Sequence, residues 1–292
     1  MLKDEIITII KNNFKEYDSL IEDFNKPKYL TLRVNTLKTT QPEIINYLNT
    51  NNIEFEVSTF SNLAIIIKNK RLSDIENLDI YKKGLIYLQS LSSQLPPIIL
   101  DPKSNTDILD MCAAPGSKTT QIASITNNEA NILACEKDKY RFEKLNYNLT
   151  LQQAKANTLN IDSKTLDNYF QFDNILLDAP CSGFGTIDLN NEKSYKYLSK
   201  QLINNSAKLQ YELLIKALTV LKKGQTMVYS TCSILSIENE DVLIKAKQKI
   251  NFEIIPIEIP NLPLLPTKLK GVICVRPNEY YEGFFVAKLK KL

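Results

Sequence analysis

A chain of 292 residues with 43% hydrophobic and 24% charged side chains can bury a large core, with room for one big domain and a smaller appendage. Its apolar runs are short, Leu63 to Ile67 being typical, so no membrane span is expected. It contains no histidine, which excludes Ser-His-Asp and Cys-His catalysis, imidazole acid–base chemistry and every histidine-ligated metal.

Five cysteines, Cys112, Cys135, Cys181, Cys232 and Cys274, are odd in number and form no C-x-x-C pair. That pattern predicts reduced thiols and no zinc or other metal site. The opening segment MLKDEIITIIKNNFKEYD mixes acids and bases at helical spacing, without a signal-peptide apolar stretch or an Arg-rich transit composition, so a cytoplasmic location is expected. The net charge of +3 is unevenly placed, because residues 188–292 hold 16 basic and 10 acidic side chains. The surplus suits contact with a polyanion and suits a Lys-rich solvated surface equally well.

In chain order, apolar spacing predicts a helix over Lys3 to Tyr17, then a strand in which Leu30, Leu32 and Val34 alternate with Thr31, Arg33 and Asn35. A helix opening at Pro42 and strands near Glu54 to Ser58 and Leu63 to Lys68 complete a small α+β module, residues 1–84. Arg33 and Asn35 fit phosphate binding and bracing between modules equally. The segment Leu85 to Leu100 reads as a bridge, with Pro96-Pro97 expected to end or bend any helix there.

From Asp107 short apolar strands alternate with helices: ILDMC, a helix from Thr119, ILACE, a helix from Tyr140, ANTLNID and NILLDAP. There follow a helix from Ser206 to Leu221, TMVYSTC, a helix from Glu238 to Lys249, FEIIPIEI and GFFVAKL. This predicts a Rossmann-like α/β fold over residues 85–292, a mostly parallel, doubly wound sheet covered on both faces. Ligands in such sheets bind at the carboxyl ends of strands.

The first of these ends runs Asp110-Met111-Cys112-Ala113-Ala114-Pro115-Gly116-Ser117-Lys118. Its small residues allow close approach of a ligand to backbone, while the following helix offers free amides; the first glycine of a P-loop is missing. Glu136, ending the second strand, suits the hydroxyls of an adenosine ribose, and Asp162, ending the third, suits an adenine amino group. Each acid alone could equally cap the next helix, but together, after a small-residue loop, they are better explained by a nucleoside cofactor. The fourth strand ends Asp178-Ala179-Pro180-Cys181-Ser182-Gly183 and the fifth Ser230-Thr231-Cys232-Ser233, so two cysteines sit at the mouths of neighbouring strands, where a thiolate could add to an electrophilic carbon. Cys135 and Cys274 read as inert core residues and Cys112 as loop backbone.

The segments CAAPGSKT, DAPCSG and STCS, with LRVNTLK upstream and RPNEYYEGFFVAKLKK downstream, resemble the Nop/Sun family of RNA cytosine-5 methyltransferases over residues 30–292. Ser117 replaces a glycine usual in that family, and TIDLNNEKSYKY follows Gly185 where relatives often have an Arg-rich segment. The resemblance implies S-adenosylmethionine held by Cys112, Ala113, Ala114, Pro115, Gly116, Ser117 and Lys118, with Glu136, Asp162 and Asp178. It implies Cys232 as nucleophile and Cys181 as an aid to product release, with the residues 1–84 module binding RNA. Asp178 is expected to hydrogen-bond the base edge, and Lys118 to orient Asp178 or the base unless it is a solvated first-turn lysine. Ribosomal RNA is slightly favoured over transfer RNA, and a monomer is expected. The rival readings are a DNA cytosine-5 methyltransferase and a non-catalytic RNA-binding ribosome assembly factor. Arg276, Lys288, Lys290 and Lys291 are expected near phosphates, whereas Tyr280, Tyr281, Phe284 and Phe285 read mainly as core.

Overall fold

The computed structural model describes residues 1–292. The chain opens with α1 (Lys3–Asn13) and α2 (Tyr17–Asn25), then β1 (Leu30–Val34), α3 (Gln41–Thr50), β2 (Phe55–Val57) and β3 (Ala64–Ile67). Two short helices, α4 (Leu72–Glu76) and α5 (Asp79–Lys82), lead to β4 (Ile86–Leu88). The four strands form an antiparallel sheet in the order β2-β3-β1-β4. Its own apolar cluster, including Leu32, Val34, Ile44, Ile65 and Ile86, is sealed from water.

Two expectations about this module change. Its sheet runs past residue 84, because Ile86–Leu88 returns to pair with Leu32–Val34. Residues 1–25 pack on the large domain, since Ile6, Ile10, Leu20 and Phe24 are buried in the same apolar cluster as Leu213, Tyr229 and Phe285. A helix with one apolar stripe buries that stripe against whichever core offers more area. The predicted single helix to Tyr17 is two helices, broken at Phe14, whose backbone is extended at φ −129° and ψ 133°.

The large domain adds α6 (Leu91–Leu100), β5 (Asp107–Asp110), α7 (Ser117–Ile125), β6 (Asn131–Cys135), α8 (Lys139–Gln152), β7 (Asn157–Leu159) and β8 (Phe172–Asp178). It continues through α9 (Lys200–Val220), β9 (Leu221–Thr231), α10 (Glu240–Lys247), β10 (Phe252–Ile255), β11 (Leu264–Leu265), β12 (Ile273–Val275) and β13 (Phe284–Lys291). The sheet order is β11-β12-β13-β9-β8-β5-β6-β7, with β10 also on β13. Strands β5 to β9 are mutually parallel. The four later strands join antiparallel, so FEIIPIEI and GFFVAKL do not extend the parallel winding. Strand order reverses between β5 and β8, and the crevice for a ligand opens at their carboxyl ends.

Helix α6 runs through Pro96 and Pro97 instead of ending there. A proline inside a helix leaves the carbonyl four residues earlier without its amide. For Pro97 that carbonyl belongs to Ser93, which accepts instead from the Gln89 side-chain amide at 3.0 Å.

Candidate active site

Strands β8 and β9 run side by side with Asp178 opposite Ser230, so both cysteine-bearing loops leave the sheet at one place. Cys181 and Cys232 lie with their sulfurs 2.8 Å apart, one thiol donating to the other. Both are half-buried, whereas Cys135 and Cys274 are buried in the core, and all five cysteines are free. The thiol of Cys181 is held well above its ordinary value, first by the hydrogen bond with Cys232 and then by burial. Burial likewise pushes Cys135 up to about 11 and Cys112 well above the usual range.

Backbone fixes the Cys232 loop. The Gly185 amide donates to the Cys232 carbonyl at 2.9 Å, and the Gly283 amide donates to the Gly185 carbonyl at 2.8 Å. A Cβ on Gly185 would stand 2.0 Å from the Gly283 carbonyl oxygen, so the two chains can pass this closely only without side chains. Phe184, next to Gly185, packs edge-on against Phe24 of α2, with ring centroids 6.4 Å apart, and so ties the N-terminal helices to the loop.

Asp178 and Lys118 form an ion pair with Nζ–Oδ2 at 2.7 Å. Asp178 also accepts from Ser230 Oγ at 2.7 Å, and Lys118 donates to Ser93 Oγ at 2.8 Å. Lys118 is only 8% exposed, which rules out the solvated-lysine reading and leaves an ammonium aimed at the Asp178 carboxylate. Cys232, Asp178 and Lys118 line one groove of about 540 Å³ that extends to Tyr87 and Tyr81 of the N-terminal module.

Beside it lies a second cavity of about 150 Å³, lined by Cys112, Glu136, Asp162 and the apolar Met111, Ile161, Pro180 and Leu213. The predicted cofactor residues therefore divide. Cys112, Glu136 and Asp162 share this smaller cavity, while Pro115, Ser117, Lys118 and Asp178 face the larger groove; Ala113, Ala114 and Gly116 line neither and shape the loop between. Gly116 adopts φ +103° at the start of α7, and a Cβ there would press Leu145 at 3.1 Å. Glu136 is buried and accepts from the Asp138 amide at 3.0 Å. Asp162 does cap the short turn after it, accepting from the Lys164 amide at 3.0 Å, so the capping and pocket-lining readings hold together.

Three further residues escaped the sequence reading. Arg141 in the smaller cavity reaches Glu136 at 3.5 Å and the Ala114 carbonyl at 2.7 Å; its place five residues after Glu136 on α8 was the available signal. Asp110, at the end of β5, is 1% exposed, and burial pushes its carboxyl up to about 7, against the Thr119 hydroxyl that donates to it at 2.7 Å. Glu238 is fully buried behind both cysteine loops.

Arg33 and Asn35 are settled as braces. The Arg33 guanidinium donates to Gln89 Oε1 at 3.0 Å and to Thr120 Oγ1 at 2.9 Å, and the Asn35 amide donates to the carbonyls of Gly84 and Gln152. Burial without a carboxylate partner pulls Arg33 down to about 10. Arg276 is likewise occupied, bonded to Asp23 of α2 at 2.6 Å and to Glu16, just before that helix, at 3.0 Å, where it clamps the helix instead of meeting phosphate. Lys291 donates to the carbonyls of Thr219 and Leu221, and Lys290 lies 3.4 Å from Glu253. Tyr281, Phe284 and Phe285 are core; Tyr280 stacks near Tyr29 with the Lys68 ammonium above both rings.

Residues 97–290 match the family model described as 16S rRNA methyltransferase RsmB/F, and residues 7–73 match the ferredoxin-like domain of RsmF/B-like methyltransferases. The chain belongs to the RsmB/F methyltransferase family. Among curated RsmB/F relatives, ribosomal RNA small subunit methyltransferase F of Shewanella loihica is 34% identical over 94% of this chain and 59% of its own length. The chain thus spans about three fifths of such relatives. The tRNA (cytosine(49)-C(5))-methyltransferase of Pyrococcus abyssi is 33% identical over 99% of this chain and 98% of its own length. A solved methyltransferase homolog from Pyrococcus horikoshii superposes with a TM-score of 0.85 at 32% identity, covering 97% of this chain and 93% of that one. No helix is long and apolar enough to cross a membrane.

Proposed function

We propose that this chain transfers a methyl group from S-adenosylmethionine to carbon 5 of a cytosine in structured RNA through a covalent Cys232–cytosine adduct. The observation that carries the reading is the meeting of two half-buried thiols with the Asp178–Lys118 ion pair at the ends of adjacent strands. The smaller cavity fits an adenosyl group, since it offers a buried carboxylate at Glu136 for hydroxyls, Asp162 for an amine, and apolar walls for a flat ring. When bound, the cofactor supplies an electrophilic sulfonium methyl.

The chain's own groups prepare the base. The Cys232 thiolate forms a bond to carbon 6 and pushes an electron pair onto carbon 5, which takes the methyl group. Asp178, kept oriented by Lys118 and Ser230, accepts a hydrogen bond from the exocyclic amine at the base edge, and the Lys118 ammonium beside it offsets the negative charge that thiolate addition puts on the ring. A base in the groove, water included, takes the carbon-5 proton; that electron pair forms the double bond between carbons 5 and 6, the bond from carbon 6 to sulfur breaks, and Cys232 leaves as thiolate. Cys181, in contact with that sulfur, assists this release. A base must leave its stack to reach a strand-end pocket, costing a few kcal/mol in a duplex, so a loop or locally opened RNA is favoured.

Ribosomal RNA is the preferred substrate class, supported by the family description and by the relatives named for it. Transfer RNA is the second reading, favoured by the full-length match to a tRNA enzyme. The test uses both cysteine variants with labelled cofactor and RNA. Cys232→Ala should abolish methyl transfer and form no adduct, whereas Cys181→Ala should methylate and then stall as a protein–RNA adduct that migrates slowly on a denaturing gel. The opposite pattern would reverse the two roles.

A further inference from the structure

Glu238 is 0% exposed and has no lysine or arginine within ion-pair distance. Its carboxylate is satisfied by neutral donors from both cysteine loops. Oε1 accepts from the Ser182 amide at 2.7 Å, while Oε2 accepts from Ser182 Oγ and from Ser233 Oγ, each at 2.6 Å. Ser182 follows Cys181 and Ser233 follows Cys232, so one side chain grips the residue after each thiol. The Glu238 backbone is held in turn, its carbonyl accepting from the buried Tyr229 hydroxyl at 2.6 Å. Burying a carboxylate without a counter-ion is costly and is tolerated only when its lone pairs are filled, so this arrangement calls for a reason beyond stability.

We propose that Glu238 is a positioning residue for methyl transfer, a buried carboxylate that sets the two cysteines relative to each other and makes them chemically unequal. The inference rests on the proposed function for which thiol attacks. The grip is asymmetric: Ser182 is held through both its amide and its hydroxyl, Ser233 through its hydroxyl alone. Cys232 faces the groove that holds the Lys118 ammonium. Cys181 is outside that lining, and the Glu238 charge is among the causes that hold it as a thiol. The other titratable groups around Cys181 are the Cys232 thiol and the Tyr229 hydroxyl on β9. The Glu238 carboxylate behind the loops thus favours the thiol at Cys181, while Cys232 opens onto the groove where a substrate would sit.

The test is Glu238→Gln, which keeps the shape and one acceptor while removing the charge. Iodoacetamide labelling from pH 6 to 9, read by mass spectrometry, reports the rate at each cysteine without RNA or cofactor. The expected result is a rise of at least threefold in labelling of Cys181 relative to Cys232. With RNA, kcat should fall at least tenfold while the KM for S-adenosylmethionine stays within about threefold. An unchanged labelling ratio with wild-type kcat overturns the proposal. Should Glu238→Gln fail to fold, Ser182→Ala and Ser233→Ala remove one arm each; the first should raise Cys181 labelling, the second should slow adduct formation, and wild-type behaviour in both overturns the proposal. Wild-type protein that methylates no RNA would refute the proposed function instead and leave the labelling ratio readable.

Discussion

Replacing Asp110 by asparagine should flatten the acid side of the pH–stability curve. The carboxyl is sealed at the end of β5, where burial pushes it up to about 7 from 3.8, the Asp178 charge adding to the effect and the Thr119 hydroxyl and Lys118 ammonium opposing it. Below pH 3.8 both folded and unfolded chains hold this proton, and the group does not disfavour folding. As pH rises the unfolded chain releases the proton first while the fold retains it, so stability declines until the folded carboxyl also ionises near 7. The full loss is about 4 kcal/mol, of which about 2 to 3 kcal/mol falls between pH 5 and pH 8. Asparagine keeps an acceptor for Thr119 and does not titrate. Urea denaturation of both proteins at pH 5, 6.5 and 8 measures the difference directly, and because all other groups are shared, it isolates Asp110. Asp110→Asn should gain about 2 to 3 kcal/mol on wild type over that interval. Parallel curves would refute the reasoning and mean that the carboxyl is ionised in the fold throughout.

Two predictions accompany this one and the cysteine pair. Glu136→Ala should weaken binding of S-adenosylmethionine by about 1 to 3 kcal/mol if charge-assisted ribose hydrogen bonds are lost, and calorimetry giving wild-type affinity in a folded variant would remove Glu136 from the site. Arg33→Ala should lower unfolding free energy by about 2 to 4 kcal/mol, since it empties the space of a buried side chain and leaves Gln89 Oε1 without its donor; a stable variant with reduced RNA affinity would restore the phosphate reading.

The chemistry of the strand ends was legible because parallel strands put functional residues at their carboxyl ends, and each of those ends carries its own short signature. Adjacency of β8 and β9 then brings Cys181 to Cys232. What was hidden depends on partners distant in sequence. Arg276 reads as a phosphate contact until Glu16 and Asp23, some 250 residues earlier, are seen to hold it. Glu238 looks like a helix start and becomes the link between two loops only after the sheet closes. Pro96 and Pro97 signal a helix end by local rules, but burial of Leu95, Ile99 and Leu100 and the Gln89 side chain outweigh the lost hydrogen bond.

The docking of α1 and α2 on the large domain changes what the small sheet can do. Chain enters that sheet from α2, which Arg276 clamps, with the Tyr29 amide bonded to the Glu279 carbonyl at 2.8 Å; it leaves into α6, which packs under the large sheet. The module is therefore an excursion anchored at both ends, with Arg33 bonded across its middle to α7. A domain hung from one linker can swing freely, but one held at two ends and a midpoint can only rock. On the proposed function, an RNA laid across both parts would meet a groove whose width is set in advance, and would itself have to distort to fit it.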